Sequence, residues 1–412
     1  MPDTPPSSAG RRVAPKRRAK SKRRHTVATV IASTGVILMM VTALSAAFFV
    51  RQLDANISTF ANADEALGDD RPEKADVDTP EEPMNILLVG SDRNNPDNGA
   101  RSDTTIIMHL SGDREFAYGV SLPRDALVDR PECVTADGED VPAADMVMFN
   151  TAYSEAGALC TQRTVESLTD IRIDVTIEMD FGGFEDMVDA IDGVEICLTE
   201  PIRESRYNKA LPKEGTFTAT GEEALIYVRE RHQLSINGDV GRMKRQQAFL
   251  ASMANKVISA ETLTNPTRVY SFVNAVYDSM TVTEGYRTKQ LADIALSFNG
   301  VGLDNINFLT VPNEEYAENR NRLVWTDEAD DLWELIRNDE PLTAEFLTGS
   351  IGSTEGGGSV NTGDATASPT DTPSSTATDD TTTDPTDDAT DADPTDDEEF
   401  NAEDFAASNG LC

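Results

Sequence analysis

The sequence predicts an α/β fold, a single extracellular domain with a central mixed β-sheet flanked by helices, between an N-terminal transmembrane helix and a disordered acidic C-terminal tail. Three observations predict it. Apolar strings at 85–90, 104–110, 116–122, 173–179, 194–198 and 305–311 include several too apolar throughout for strands with one wet face, so the sheet is expected to be covered on both sides. Between them, helical spacing recurs at 150–157, 162–169, 181–191, 239–259, 266–280, 287–298 and 326–338, an alternation that makes one α/β domain. The two ends differ sharply in composition from this middle, one basic and then apolar, the other acidic and without large apolar runs.

Each part has its own justification. Residues 1–25 carry nine basic side chains and one acidic one, and the uncharged run 26–50 that follows is long enough to cross a bilayer as a helix. The positive-inside rule puts 1–25 in the cytoplasm and everything after Arg51 outside, in a cell membrane crossed once. A cleaved signal peptide has the same order of regions, with Ser45-Ala46-Ala47 as small residues, but its apolar core normally runs only about 7–15 residues. Residues 51–83 are polar, contain Pro72, Pro80 and Pro83, and read as a stalk; the folded part is expected at 84–350. From 351 to 412 the chain is rich in Thr, Asp, Gly, Ser and Pro, with sixteen acidic and no basic residues after Ile351, and reads as disordered.

The net charge of −38 repels nucleic acid phosphate, which argues against a nucleic-acid partner and makes any cluster of arginines in the middle region informative. No dinucleotide glycine fingerprint, Walker sequence, zinc-ligand spacing or nucleophile with a neighbouring base is present. Two blocks stand out instead. The first runs from Asn85 to Asp92, through Arg101-Ser102-Asp103-Thr104, to Ser121-Leu122-Pro123-Arg124-Asp125. The second contains Tyr227-Val228-Arg229-Glu230-Arg231-His232 and Gly238-Asp239-Val240-Gly241-Arg242-Met243-Lys244-Arg245-Gln246-Gln247.

Asp92 ends a buried strand, where α/β sheets open into ligand sites, and Asp103 precedes the next strand. Two such carboxylates suit a hard cation that keeps waters and binds substrate phosphate, Mg²⁺ or Mn²⁺, although an Asp in a turn is more often a cap. Arg101 shares their loop, and Arg124 follows a strand and a proline. Arg229 and Arg231, two apart, point to one side if the segment is extended. Arg242 and Gln246 lie one turn apart at the start of a long helix, whose N-terminus favours an anion. Guanidiniums grip phosphate oxygens in pairs, so several together imply more than one phosphate group; taken singly, each arginine reads better as a surface salt bridge. Asp239 is either the cap of the long helix or a proton acceptor, with the cap favoured. Phe249, Met253 and Val257 continue the Arg242 stripe, as core or as the lining of a lipid slot. His109 reads as structural, and His232 as a residue that orients the arginines. Cys133 and Cys160 bracket an excursion that a disulfide would tighten, Cys197 reads as a buried strand thiol, and Cys412 ends the tail.

These spaced strings, with Phe149-Asn150-Thr151-Ala152-Tyr153 and Gly183-Phe184, resemble the LytR-CpsA-Psr family of cell-wall phosphotransferases over about 84–260, and more weakly to about 340. The resemblance implies a membrane-anchored enzyme that moves a glycopolymer from a polyprenyl-pyrophosphate carrier to peptidoglycan, or to a surface glycoprotein acceptor. It matches Asp92 and Asp103 to metal ligands and Arg101, Arg124, Arg229, Arg231, Arg242 and Gln246 to pyrophosphate-binding residues, with Arg124, Arg229, Arg231 and Asp239 as the catalytic set. Arg93 directly follows Asp92, where relatives often place the arginine one residue later. The spacing of Cys133 and Cys160 is similar to that of actinobacterial members, Gram-positive bacteria. Two other functions fit the same residues: a polyprenyl-pyrophosphate hydrolase, with water as acceptor, and a non-catalytic wall-polymer binding module.

Overall fold

The computed structural model describes residues 22–92, 102–203, 209–231, 233–234, 238–259, 262, 264–352, 359–361 and 400–412. Arg93, Arg101 and His232 therefore lie outside the described residues. The chain falls into two units, divided after Ala55. Helix α1 (Lys22–Asn56) makes up the described part of the first, with Val30, Ile31, Ile37, Leu38, Met39 and Phe48 all exposed. Among the described residues no helix is long and apolar enough to cross a membrane, and the run 26–50 includes side chains outside that set.

The second unit is built on one nine-stranded sheet, whose strands alone are numbered here. In chain order come β1 (Ser58–Thr59), α2 (Ala63–Leu67), β2 (Met84–Ser91), β3 (Ser102–Leu110), β4 (Ala117–Ser121), α3 (Thr151–Thr169), β5 (Val175–Asp180) and α4 (Phe181–Ala190). Then follow α5 (Gly221–Arg229), α6 (Asp239–Ile258), α7 (Pro266–Ser279), β6 (Met280–Val282), α8 (Thr288–Val301), β7 (Ile306–Thr310), α9 (Glu328–Arg337), α10 (Ala344–Leu347), β8 (Ile351–Gly352), β9 (Ser359–Val360) and α11 (Ala402–Asn409). The sheet order is β1-β6-β5-β2-β3-β4-β7-β8-β9. It is mixed: β5 with β2 and β4 with β7 are parallel, whereas β2, β3 and β4 form an antiparallel meander.

Both faces are covered, as the apolar strings require. On one face Leu87, Val89, Ile107, Val120 and Leu309 meet Val165 of α3 and Leu332, Trp333 and Ile336 of α9. Each such side chain, fully buried, contributes roughly 1.5–3 kcal/mol. Side chains alternate along a strand, so Ser121 and Thr310 point the other way, and there Gln247 of α6 donates to both hydroxyls (2.9 and 3.0 Å) and to the Leu309 carbonyl (2.9 Å). A second apolar cluster joins Val188 of α4, Ile226 and Val228 of α5, Phe249 of α6 and the hairpin 194–198/215–219. Gly183 is required where α4 meets α7, since a Cβ there would collide with Ser279.

Several expectations are corrected. The two helices expected at 150–157 and 162–169 are one, kinked at Ala156 and at Gly157, whose φ of 78° and ψ of −165° only glycine adopts readily. The stalk is not free over its whole length: β1 pairs with β6, Ala63, Ala66 and Leu67 pack on Leu159, and Arg71 donates to Glu166 (2.9 Å) and to the Ile173 carbonyl (2.7 Å). A run of prolines and charges concealed docking made by a few small apolar residues. The tail, expected to be disordered from 351 to 412, contributes β8 and β9 to the sheet edge, and its last segment folds as α11. Cys197 is not a free thiol, because it is bonded to Cys412; Cys133 is bonded to Cys160. A strand position that looked apolar was one half of a covalent link whose other half lies 215 residues on.

Non-reducing peptide mapping of the oxidised protein should therefore return Cys133–Cys160 and Cys197–Cys412, and a Cys133–Cys197 peptide would contradict the fold. Replacing Cys133 and Cys160 together by serine should lower the unfolding free energy by about 3–4 kcal/mol, read by urea titration, as the chain-entropy estimate gives for a loop of this size.

Candidate functional site

The site lies where β2 ends and β3 begins. Register runs Gly90 to Thr104 and then Ser91 to Ser102, so Asp103 is the extra residue of a β-bulge. Bulges re-aim side chains beside active sites, and here the bulge accompanies a carboxylate turned toward arginines from three other elements. Asp103 Oδ1 accepts from Arg124, just past β4, and from Arg231, just past α5, at 3.2 Å; its carbonyl accepts from Arg242 of α6 at 2.8 Å. Asp92, directly after β2, pairs through Oδ2 with Arg229 at 3.1 Å. Ser91 beside it is pinned by its hydroxyl to buried Glu178 (2.8 Å), which also accepts from Tyr153 (2.5 Å).

Asp239 completes the cluster. It is not the cap of α6, a position held by Gly238, but the first helical residue, gripping Arg242 through both oxygens at 3.0 and 2.8 Å. It also lies 3.4 Å from Arg231 and 3.6 Å from Arg124. Burial raises the pKa of both Asp103 and Asp239, but Arg242, Arg124 and Arg231 outweigh it and hold both carboxyls below their ordinary value of 3.8. Arg124 is shifted upward, because Asp239, Asp125 and Asp103 overcome its burial. Arg231 is shifted downward by burial together with the like charges of Arg242 and Arg124. An incoming anion would relieve that repulsion.

The arginines divide into two groups. Arg124, Arg229 and Arg231 keep 16%, 13% and 18% of their side chains exposed and can reach a ligand. The buried Nε of Arg124 faces Asp125 Oδ2 at 3.4 Å. Arg242, 1% exposed, is turned onto Asp103 and Asp239, and Gln246 donates to the Val228 carbonyl at 3.1 Å, so both brace the site from behind. At 229–231, Arg229 is the last residue of α5 and Glu230 after it is extended, and the two arginines reach Asp92 and Asp103. Thr220 and Glu223 close a capping box at the start of α5, and Arg229 is its last residue, with its guanidinium 4.3 Å from the centre of the Phe181 ring. Thr220-x-x-Glu223 was the available signal for that helix. Phe181 and Glu178 carried none, and Tyr153 stood out only within the string Phe149–Tyr153, without a role of its own. His109 lies within β3, buried between Asn85 Oδ1 at 2.8 Å and Asp339 Oδ1 at 3.0 Å.

Asp92 and Asp103 each use one oxygen in these ion pairs, leaving the other for a cation that also takes phosphate oxygens. Among the described residues no three His, Cys, Asp or Glu side chains gather to hold a metal ion. Among the described residues the site sets four guanidiniums, Arg124, Arg229, Arg231 and Arg242, against four carboxylates, Asp92, Asp103, Asp125 and Asp239.

Clustered guanidiniums at the open end of a mixed sheet are the donor set that suits phosphate oxygens. Comparisons with known proteins narrow this. The model of the LytR_cpsA_psr family matches residues 52–338, and the chain belongs to that family. It is 30% identical over 247 residues to the cell wall biosynthesis protein LcpA of Corynebacterium glutamicum, covering 56% of this chain and 46% of the relative. It is also 30% identical over 264 residues to TagU of Halalkalibacterium halodurans, a polyisoprenyl-teichoic acid–peptidoglycan teichoic acid transferase, covering 60% and 81%. The chain spans about half the length of the two corynebacterial relatives LcpA and LcpB. Among solved structures, Bacillus subtilis TagV matches with a TM-score of 0.51 at 21% identity, covering 64% of this chain and 99% of that one. A LytR-Csp2A-Psr enzyme from Actinomyces oris matches at 0.51 and 19%, covering 65% and 96%; both share the mixed α/β fold.

Removing Asp239 leaves the buried Arg242 without its bidentate partner, whereas Asp92 pairs through one oxygen with the partly exposed Arg229. Asp239→Ala should cost about 3 kcal/mol of stability and Asp92→Ala no more than about 1–2 kcal/mol, measured by denaturant titration. The acid limb of the same titration tests the pKa shifts. A carboxyl whose folded pKa is depressed stabilises fully above its unfolded value and loses that contribution as pH falls through the folded one, here below pH 3.8. Asp103→Asn should flatten the stability–pH curve in that range and leave the neutral limb's slope unchanged.

Proposed function

We propose that the protein is a phosphotransferase that moves a glycopolymer from a polyprenyl-pyrophosphate carrier to peptidoglycan or another cell-surface acceptor. The observation that carries this is the convergence of Arg124, Arg229 and Arg231, each partly exposed, on the strand ends that carry Asp92 and Asp103. Family membership supports the reaction class, and the TagU relative bears the corresponding transferase name. In this reading Arg124 and Arg231 bind the pyrophosphate oxygens, Arg229 is held in place by Phe181, and Arg242 and Gln246 fix the two carrying segments. Arg101 would add a further guanidinium from the loop between β2 and β3.

The acceptor hydroxyl attacks the phosphorus nearer the glycan, a new P–O bond forms as the bridging P–O bond breaks, and prenyl phosphate leaves with the electron pair while the hydroxyl proton passes to it or to water. Fixed guanidiniums stabilise the charge that gathers on the transferring and leaving oxygens without reorganising, the largest contribution a protein makes to such a step. Asp92 and Asp103 would hold Mg²⁺ or Mn²⁺, which supplies further positive charge to a site whose own charges balance. Asp239, locked on Arg242 and shifted downward in pKa, holds the arginines in position and is a poor proton acceptor. Helix α1 would anchor the enzyme, with residues 1–25 on the cytoplasmic side and the domain that follows outside, because the exposed apolar side chains from Val30 to Phe48 need an apolar solvent. The partly buried Phe184, Met253, Val257 and Phe272 around the second cluster would then flank the prenyl chain.

Arg124→Ala and Arg231→Ala should each weaken binding of a prenyl pyrophosphate by roughly 1.5–3 kcal/mol without affecting a prenyl alcohol, as isothermal calorimetry would read. Turnover of a synthetic lipid-pyrophosphate glycan should need a divalent cation and a peptidoglycan acceptor. Equal turnover without the acceptor would identify a hydrolase, and none under either condition a binding module. Protease added to wall-stripped cells should remove an epitope inserted after Ser350 and spare one at the N-terminus; digestion of the latter would reverse the anchor.

A further inference from the structure

The C-terminal segment 400–412 touches the arginine-bearing segment, and no step proposed above uses it. After Val360 the only large apolar side chains are Phe400, Phe405 and Leu411, all in this segment. Gly410 caps α11 with a φ of 70° and lies so near the Leu234 carbonyl that a Cβ there would collide with it. Leu234 and Leu411 are both buried. Cys412 is bonded to Cys197, on the hairpin strand 194–198, with the two Cα atoms 5.8 Å apart. On α6, Lys244 donates to the Gly349 carbonyl at 3.0 Å and lies 5.3 Å from the centre of the Phe405 ring.

Arg245 joins the parts. Its side chain is wholly buried, one nitrogen donates to the Asn409 carbonyl of α11 at 3.1 Å, and the other donates to the Glu230 carbonyl. Glu230 stands between Arg229 and Arg231, so the guanidinium grips the main chain that carries both. We infer that segment 400–412, covalently tied through Cys412 and hydrogen-bonded through Arg245, is a clamp that sets the Arg229–Arg231 segment in its anion-binding geometry, with Arg245 as its positioning residue. The inference rests on the pyrophosphate reading for its ligand and on geometry alone for the clamp. Burying a guanidinium to hold two carbonyls is expensive unless the geometry it fixes matters, and here the fixed backbone is that of the site.

Full-length protein is compared with a chain ending at residue 399 and with Arg245→Met, Arg245→Lys and Cys412→Ser, all well below their melting temperatures. Two quantities are read: hydrogen-exchange protection of the amides of Glu230, Arg231 and Leu234, and affinity for farnesyl pyrophosphate against farnesyl phosphate. The clamp predicts lost protection in that segment with β2 and β3 unchanged, and about tenfold weaker pyrophosphate binding with a smaller effect on the monophosphate. Arg245→Lys should recover part of the affinity, and coupling a synthetic 400–412 peptide by disulfide to Cys197 of the shortened chain should restore both readouts. A lower melting temperature with unchanged protection and affinity overturns the clamp, as does lost protection with unchanged affinity. If the unaltered protein fails to bind farnesyl pyrophosphate, the proposed ligand is wrong, and the exchange data still decide the clamp. Should the shortened chain not fold, the point variants carry the same two readouts.

Discussion

Three guanidiniums within reach of one another, those of Arg124, Arg231 and Arg242, are strongly self-repelling, and the structure tolerates them because Asp103 and Asp239 sit among them. Asp103 spans Arg124, Arg231 and, through its carbonyl, Arg242; Asp239 takes Arg242 in a bidentate grip and faces Arg124 and Arg231. Around this electrostatic knot the rest is arranged. The bulge supplies Asp103, α5 ends so as to deliver Arg229, and α6 begins so as to deliver Asp239 and Arg242. The wider domain is acidic, so the knot is also the place where an anion finds donors already aligned.

The fold makes this possible by division of labour between the two faces of the sheet. One face is apolar, closed by α3 and α9 around Trp333. The other is crossed by α6, whose polar residues Gln247 and Gln246 hold strand and helix backbones while Arg245 and Arg242 look toward the site. A helix with so many buried polar groups would be a poor packing element were they not matched to partners. Matching fixes its rotation, and rotation decides where the guanidiniums point.

Much of this was legible from residue order. The strands at 85–90, 104–110 and 173–179 and the helix from Asp239 could be read because period and apolar content are local properties, and the paired blocks could be read because arginines are conspicuous in an acidic chain. What could not be read was mostly non-local. The link from Cys197 to Cys412, the docking of 56–83 and the Tyr153–Glu178–Ser91 contacts depend on partners far along the chain. The helical setting of Arg229 was missed for another reason: alternation over three residues looks extended even where the first of them ends a helix, and only the capping box at Thr220 sets the period. The bulge at Asp103 has no sequence signature, because any residue can be the extra one.

The bond between Cys197 and Cys412 also changes the topology of the polymer. It closes a ring that contains α5, α6, most of the second apolar cluster and the whole Thr/Asp/Pro-rich stretch from 362 to 399. A single cut by a protease anywhere inside that ring linearises it without releasing a fragment, so both new ends stay covalently joined to the body. The stretch richest in acidic residues is thus also a part that can be severed once and leave every site residue attached.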